Sequence, residues 1–346
     1  MLSSIEVSTF NLRQLRYFVA AAEAGSLASA SRKINISQPS ISSAIKELEE
    51  TFHLNLLIRH HGSGVSLTPS GTRFYNKATE LLRHANEFET TASVGAGSLV
   101  GQLEVGCFST VAPIYMPMLL SAFMNKHPGV EINLKDGQEN ALIDGLEAGR
   151  FDAVMLYDYG LSLSFDRVPF VSDLVPHLVL PKGHRLSGQS EAALADVISE
   201  PFILLDMQPS ATFFRKVFDD AGLAPNISYR SPSVEMVRGL VARGLGFSIL
   251  VSKPYSNLTY DGNEVCTVPL SDDVQRSTLV LAWLRSSTPS RLAKTFIEFC
   301  QSTGNRLKSE QRTDSFPHID PASYEAARPP PPMCRPRRRT SASGSS

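Results

Sequence analysis

Few residues in this chain are spaced for covalent or metal chemistry. Ser43 and Lys46 fit the S-x-x-K pattern of a serine nucleophile, and His60 and His61 stand side by side as metal ligands can. Neither has partners: the companion motifs of S-x-x-K enzymes are missing, and no carboxylate or cysteine lies at ligand spacing from the histidines. Gly244-Leu245-Gly246 lacks the third glycine of a dinucleotide loop, and there is no G-x-S-x-G. Cys107, Cys266, Cys300 and Cys334 are widely separated with no C-x-x-C pair, which argues against a zinc ribbon or a disulfide framework and fits a reducing compartment. No catalytic set, metal site or cofactor is expected.

What remains is hydrogen-bonding chemistry. In "INISQPSISSAIKELEE" the apolar residues Ile41, Ala44, Ile45 and Leu48 mark one helix face, while Gln38, Ser42 and Lys46 fall one turn apart on another, with Pro39 and Ser43 beside them. Ser37 can cap this helix and Pro39 is tolerated in its first turn, but capping leaves the other polar residues unexplained. Short polar side chains let a helix lie deep in the DNA major groove, where Gln reads adenine edges and Ser bonds base or phosphate. Arg32, Lys33, Lys46, Arg59 and Arg73 are placed to meet phosphates. Over residues 11–77 eight Lys/Arg face four acids, although the whole chain has a net charge of −1, so the basic footprint is local.

The elements that must position these groups follow from periodicity. Leu15, Phe18, Val19 and Ala22, then Leu27, Ala30 and Ile34, then the helix above predict three short helices packed as one unit. "LLIRHHGSGVSLTPSG" predicts strand, glycine turn, strand and a new helix capped by Thr68 with Pro69 at its first position, giving a helix-turn-helix with a β-hairpin wing over residues 10–70. Phe74, Ala78, Leu81, Ala85 and Phe88 recur at steps of four and three, an a/d seam that predicts a dimerisation helix over 71–92, or else an intramolecular clamp. Residues 93–102 form a hinge of small residues.

Beyond the hinge, strands and helices alternate, which predicts a parallel sheet and an α/β class. Two lobes joined by crossing strands are the economical arrangement over 103–304, lobe I taking about 103–168 and 267–304 and lobe II about 169–266. "FILLD", helix 210–221, "NISYR" and helix 233–243 belong to the second lobe, and a last helix is capped around Thr288-Pro289. Residues 305–346, ending "RPPPPMCRPRRRTSASGSS", read as a disordered tail. With 346 residues, 42% of them hydrophobic, the chain is long enough for several cores. It shows no export signal and no apolar stretch long enough for a bilayer, so a cytoplasmic, non-membrane protein is expected.

Residues 12–71 resemble the N-terminal domain of LysR-type transcriptional regulators. The resemblance rests on Ser-small-x-x-Ala, the hydroxyl-Gln-Pro-x-x-Ser start of "SQPSIS", Ile-x-x-Leu-Glu in "IKELE", Leu-[Leu/Phe]-x-Arg in "LLIR" and Leu-Thr-x-x-Gly in "LTPSG". A weaker likeness runs to about residue 303 through "HPGVEINLKDG", "GRFDAVML", "PKGHRL" and "LVARGLGFSIL". Many relatives carry a basic or amide residue where Ser43 and Ala44 stand, and glycine where His53 stands. The resemblance implies a winged helix-turn-helix, a linker helix and a two-lobed effector domain like that of periplasmic binding proteins. It also implies Gln38, Pro39, Ser40, Ser42 and Ser43 as base or backbone contacts, Arg59 as the wing contact, and a homodimer or tetramer.

Parallel α/β sheets bind small molecules at the carboxyl ends of strands, beside helix N-termini. The matching residues are Ser109, Thr110, Gln138, Ser210, Thr212 and Ser233, each just before or at the start of a helix and each equally placed to be a plain N-cap. Together with the resemblance they point to one effector cleft. The expectation is therefore a sequence-specific DNA-binding regulator, partnered by double-stranded DNA and a small-molecule effector. The competing expectation is a solute-binding module or α/β enzyme with an appended helical domain, which an export signal or a catalytic triad would have favoured.

Overall fold

The computed structural model describes residues 9–60, 64–94 and 99–311. Its N-terminal unit consists of α1 (Leu12–Ala24), α2 (Leu27–Ile34) and α3 (Gln38–Phe52). Each opens on a polar cap: Asn11 in a reciprocal capping box with Gln14, Ser26 accepting from the Ser29 N–H, and Ser37 accepting from the Ser40 N–H. Each closes on a left-handed residue, Gly25, Asn35 and His53. His53 holds φ 52°, the conformation that glycine adopts without a Cβ penalty, so the turn after α3 keeps its geometry with a bulkier residue. Leu15, Phe18, Ala30, Ile41, Ile45 and Leu48 form the buried centre.

β1 (Leu57–His60) and β2 (Gly64–Leu67) pair antiparallel as the wing, with Arg59 opposite Val65. Residues 61–63, including His61, lie outside the described residues. Thr68 then caps α4 (Pro69–Val94) by accepting from the Gly71 N–H at 2.8 Å. A Cβ on Gly71 would sit 2.0 Å from the Leu56 carbonyl oxygen, which explains the glycine of the "LTPSG" motif. The apolar stripe of α4 divides between two surfaces. Its first turns cross α1, so Phe74 packs edge-on against Phe18 and Ala78 is buried in the same core. Farther along, Leu81 is 40% and Phe88 76% exposed.

After residues 95–98, which lie outside the described residues, the chain runs β3 (Val100–Phe108), α5 (Ala112–Lys126), β4 (Gly129–Gly137), α6 (Glu139–Glu147), β5 (Ala153–Tyr157) and β6 (Phe165–Leu174). It crosses into β7 (His177–Pro181), α7 (Leu194–Val197), β8 (Phe202–Leu205), α8 (Ser210–Asp220), β9 (Ile227–Ser231), α9 (Val234–Ala242), β10 (Ser248–Leu250) and β11 (Val265–Pro269), then returns through β12 (Ser277–Leu284) to α10 (Arg291–Gln311). Lobe I is built on a five-stranded sheet of order β4-β3-β5-β12-β6. It is mixed rather than parallel: β4, β3 and β5 run together, while β12 is antiparallel to β5 and β6. Lobe II combines an antiparallel β10-β7-β11 sheet with a parallel β8-β9 pair.

Three expectations shift. β6 stays hydrogen-bonded to β12 as far as Leu174 and β11 stays in lobe II to Pro269, so the lobes exchange chain at 174–177 and 269–277 rather than near 168 and 266. α10 is capped by Ser290, which accepts from the Ala293 N–H, and not by Thr288. α10 also continues to Gln311, past the expected start of the tail; the remainder, 312–346, lies outside the described residues.

Candidate functional site

At the N-terminal end, α3 turns Ile41, Ala44, Ile45 and Leu48 inward, which leaves Gln38, Pro39, Ser40, Ser43 and Lys46 exposed and Ser42 half-buried. These side chains are not equally available. Ser40 shares a 2.7 Å hydroxyl bond with Ser37, Ser43 donates to Glu47, and Lys46 lies 3.5 Å from Glu50. Gln38 is exposed at the first position and makes no intramolecular bond among the described residues. Arg32, in the last turn of α2, donates to Ser29, and Arg59 is exposed on the wing strand. The S-x-x-K pair is thus split between two acids. His60 bonds Ser66.

The second site is a cleft of about 610 Å³ between the lobes, large enough for a metabolite. Ser109 and Thr110, at the end of β3, and Ser233, at the start of α9, line it from opposite sides. Ser210 and Thr110 line a narrow slot that continues inward beside Tyr157 and Ser252. Gln138 and Thr212 do not join them. Gln138 follows β4, the edge strand of its sheet, and the Thr212 hydroxyl donates to Gln208 within its own segment at 2.8 Å. Capping accounts for Ser233, which accepts from the Met236 N–H, but not for Ser109, Thr110 or Ser210. Thr110 Oγ1 is buried beside the Tyr157 hydroxyl, where the slot meets the cleft, without a hydrogen bond of normal geometry.

Aromatic rings tie the lobes together at the back of the cleft. Tyr157 stacks on Tyr159 at 5.3 Å and Tyr159 on Phe213 of α8 at 4.7 Å, while the Tyr157 hydroxyl bonds Ser252 at 2.5 Å. Burial pushes both tyrosine hydroxyls far above their ordinary range, so they stay neutral. The sequence reading did not reach the cleft's mouth. Arg238, buried on α9, pairs with Glu235 at 2.7 Å and donates to the carbonyls of Ser256 and Leu258, fastening the loop that carries Tyr255 and Tyr260. An arginine inside the apolar run "MVRGLV" was the one available signal. The buried thiols of Cys107 and Cys300 are pushed up by burial, which removes thiolate chemistry from lobe I.

The architecture of a winged helix-turn-helix on a long helix, followed by a two-lobed ligand domain, matches two family descriptions. Residues 12–72 match "Bacterial regulatory helix-turn-helix protein, lysR family" and residues 96–305 match "LysR substrate binding domain". The chain belongs to the LysR family of transcriptional regulators. HinK, a LysR family regulator of Pseudomonas aeruginosa, is 47% identical, with a TM-score of 0.59 over 86% of this chain and 99% of HinK. ClcR of Pseudomonas putida is 30% identical over 278 residues, 75% of this chain and 90% of its own. Full-length OxyR from Pseudomonas aeruginosa shares the fold at 23% identity, with a TM-score of 0.66 over 84% of this chain and 98% of that one. As a LysR regulator the chain carries a helix-turn-helix DNA-binding domain and an effector-binding domain. LysR regulators bind DNA and small-molecule effectors and act as oligomers. Among the described residues no helix is long and apolar enough to cross a membrane.

Proposed function

We propose that this regulator reads its operator through the N-terminal half of α3, with Gln38 as the chief base contact, and is switched by a small, largely apolar effector held between its lobes. The carrying observation is the exposed Gln38 side chain, unbonded at the tip of a helix whose other face is wholly buried. Pro39, Ser40, Ser42, Ser43 and Lys46 flank it, and Arg32 and Arg59 reach phosphates from either side. The exposed stretch of α4 at Leu81 and Phe88 serves as the dimer seam. Tetramer assembly would use further surfaces. The activity is regulatory rather than enzymatic, and its place is with the DNA in the cytoplasm.

The cleft defines the effector class. Its one ion pair, Arg238 with Glu235, is internally satisfied, and its remaining walls include Pro113, Ile114, Met207 and Tyr255. An uncharged or zwitterionic molecule with an aromatic or branched body and one hydroxyl or carbonyl for Thr110 and Ser109 fits that surface. A thermal-shift screen of small organic acids, amines and aromatic amides, run on the parent and on the Ser109→Ala, Thr110→Val double variant, tests it. A hit should stabilise the parent, alter its operator affinity and lose both effects in the variant. A hit acting equally on both proteins places the effector elsewhere.

A further inference from the structure

A second cavity, of about 420 Å³, lies where α4 meets lobe I, at the opposite end of the lobe I sheet from the effector cleft. The cleft opens at the carboxyl end of β3, whereas this cavity is walled by Phe151 and Asp152, just before β5 begins, and by Trp283, at the finish of the antiparallel β12. Bonds from α4 to lobe I frame it. Arg83 pairs with Asp152 at 2.8 Å, Asp152 also accepts from the Glu104 N–H, Ser287 donates to Glu80 at 3.0 Å, and Asn76 donates to the Glu147 carbonyl.

The lining has two halves. Leu146, Phe151 and Trp283 give lobe I an apolar wall, and α4 supplies charge. On α4 Lys77 is paired with Glu80 and Arg83 with Asp152. Burial pushes the Glu80 carboxyl up, but bonds from Lys77 and Ser287 outweigh it and hold the group below its usual range, so it stays ionised. That leaves Arg73, whose only bond among the described residues is to the neutral Ser70 hydroxyl. One uncompensated cation therefore faces an apolar wall. Asn76 also lines the cavity, and its Oδ1 is buried with no partner, an acceptor in want of a donor.

We propose that this joint is a second ligand site, for an amphipathic monoanion: an aromatic or aliphatic body on Trp283 and Phe151, its acid group on Arg73, and an N–H or O–H donor on Asn76 Oδ1. A molecule there touches both the helix that carries the DNA-reading unit and the lobe that holds the effector, so its occupancy biases their arrangement independently of the cleft. 1-Anilinonaphthalene-8-sulfonate has all three features, a sulfonate, fused rings and an N–H. Trp283 is the only tryptophan in the chain, so energy transfer from it to the dye reports binding. The full-length parent should show saturable transfer. Arg73→Gln should weaken it about tenfold, the scale of one lost charge-assisted bond. Ser286→Phe, which fills the cavity from an exposed position, should abolish it, and Ser109→Phe, which obstructs the effector cleft, should leave it unchanged. Thermal unfolding of each variant confirms that it is folded. Saturating dye should also shift operator affinity of the parent at least threefold and that of Ser286→Phe not at all. No saturable transfer in the parent, transfer that survives Ser286→Phe, transfer lost in Ser109→Phe, or operator affinity indifferent to the dye would each overturn the proposal.

Discussion

Gln38 and His177 are two residues whose surroundings set opposite demands. Gln38 is exposed at the start of α3 and serves no core, so Gln38→Ala should leave thermal unfolding unchanged and weaken specific operator binding by about 1–3 kcal/mol, the worth of one good base contact. Fluorescence anisotropy on operator and scrambled duplexes measures this; equal loss on both would make Gln38 a backbone contact. His177, at the crossing into lobe II, is buried with Nε2 unpartnered, and burial, aided by the charge of Lys253, lowers its pKa from 6.5 to about 3. Above pH 6.5 it is neutral folded or unfolded and has no effect on pH dependence. Between 6.5 and about 3 the unfolded chain takes up a proton that the folded chain refuses, so stability falls as pH falls, by up to about 1.4 kcal/mol per unit. Urea titrations at pH 7 and pH 5 should show a smaller acid loss for His177→Leu than for the parent, and identical losses would mean that this imidazole protonates in place. The pattern of α3 was legible in the sequence because a 3.6-residue period separates core from surface without reference to anything distant. The burial of His177 was not, since it depends on which strands cross between the lobes.

The helix α4 shows how far a local pattern can carry. Steps of four and three in Phe74, Ala78, Leu81, Ala85 and Phe88 marked one apolar stripe, and the stripe is real, but two surfaces share it. The first turns pack on Phe18 and Tyr75 is buried beside them, while Leu81 and Phe88 face outward on the remainder. A seam read from sequence does not say where its partner changes, because that is fixed by the length of α1 and by the close approach of Gly71 to Leu56. Replacing Leu81 and Phe88 by Glu should therefore leave the N-terminal core folded and dissociate the oligomer, because two charges would enter an interface that excludes water. Sedimentation velocity tests this, and a parental sedimentation coefficient would assign assembly to another surface. The six strand-end residues tell the same lesson. Ser109, Thr110, Ser210 and Ser233, chosen by strand-end position together with the family resemblance, line the cleft and the slot that continues from it, whereas Gln138 follows the edge strand and Thr212 bonds Gln208 in the turn before its own helix, facts that strand order and rotamer decide.

For the whole molecule, the two proposed recognition surfaces sit on one polypeptide: an exposed helix face at one end and a cleft between lobes at the other, with α4 bonded to lobe I through Arg83, Glu80 and Asn76. That physical continuity lets an effector preference for one lobe arrangement alter how the DNA-reading units are presented. In a two-fold dimer, as proposed, two identical helices would read two inverted half-sites spaced by about one helical turn or a multiple of it. The most direct test is to pass fragmented genomic DNA over the purified full-length protein at physiological salt and sequence what is retained. The account predicts one enriched motif with inverted-repeat symmetry and a fixed half-site spacing, recovered by the parent and lost in Gln38→Ala. Retention of fragments with no shared motif, unchanged by Gln38→Ala and falling only as salt rises, would contradict sequence reading by α3.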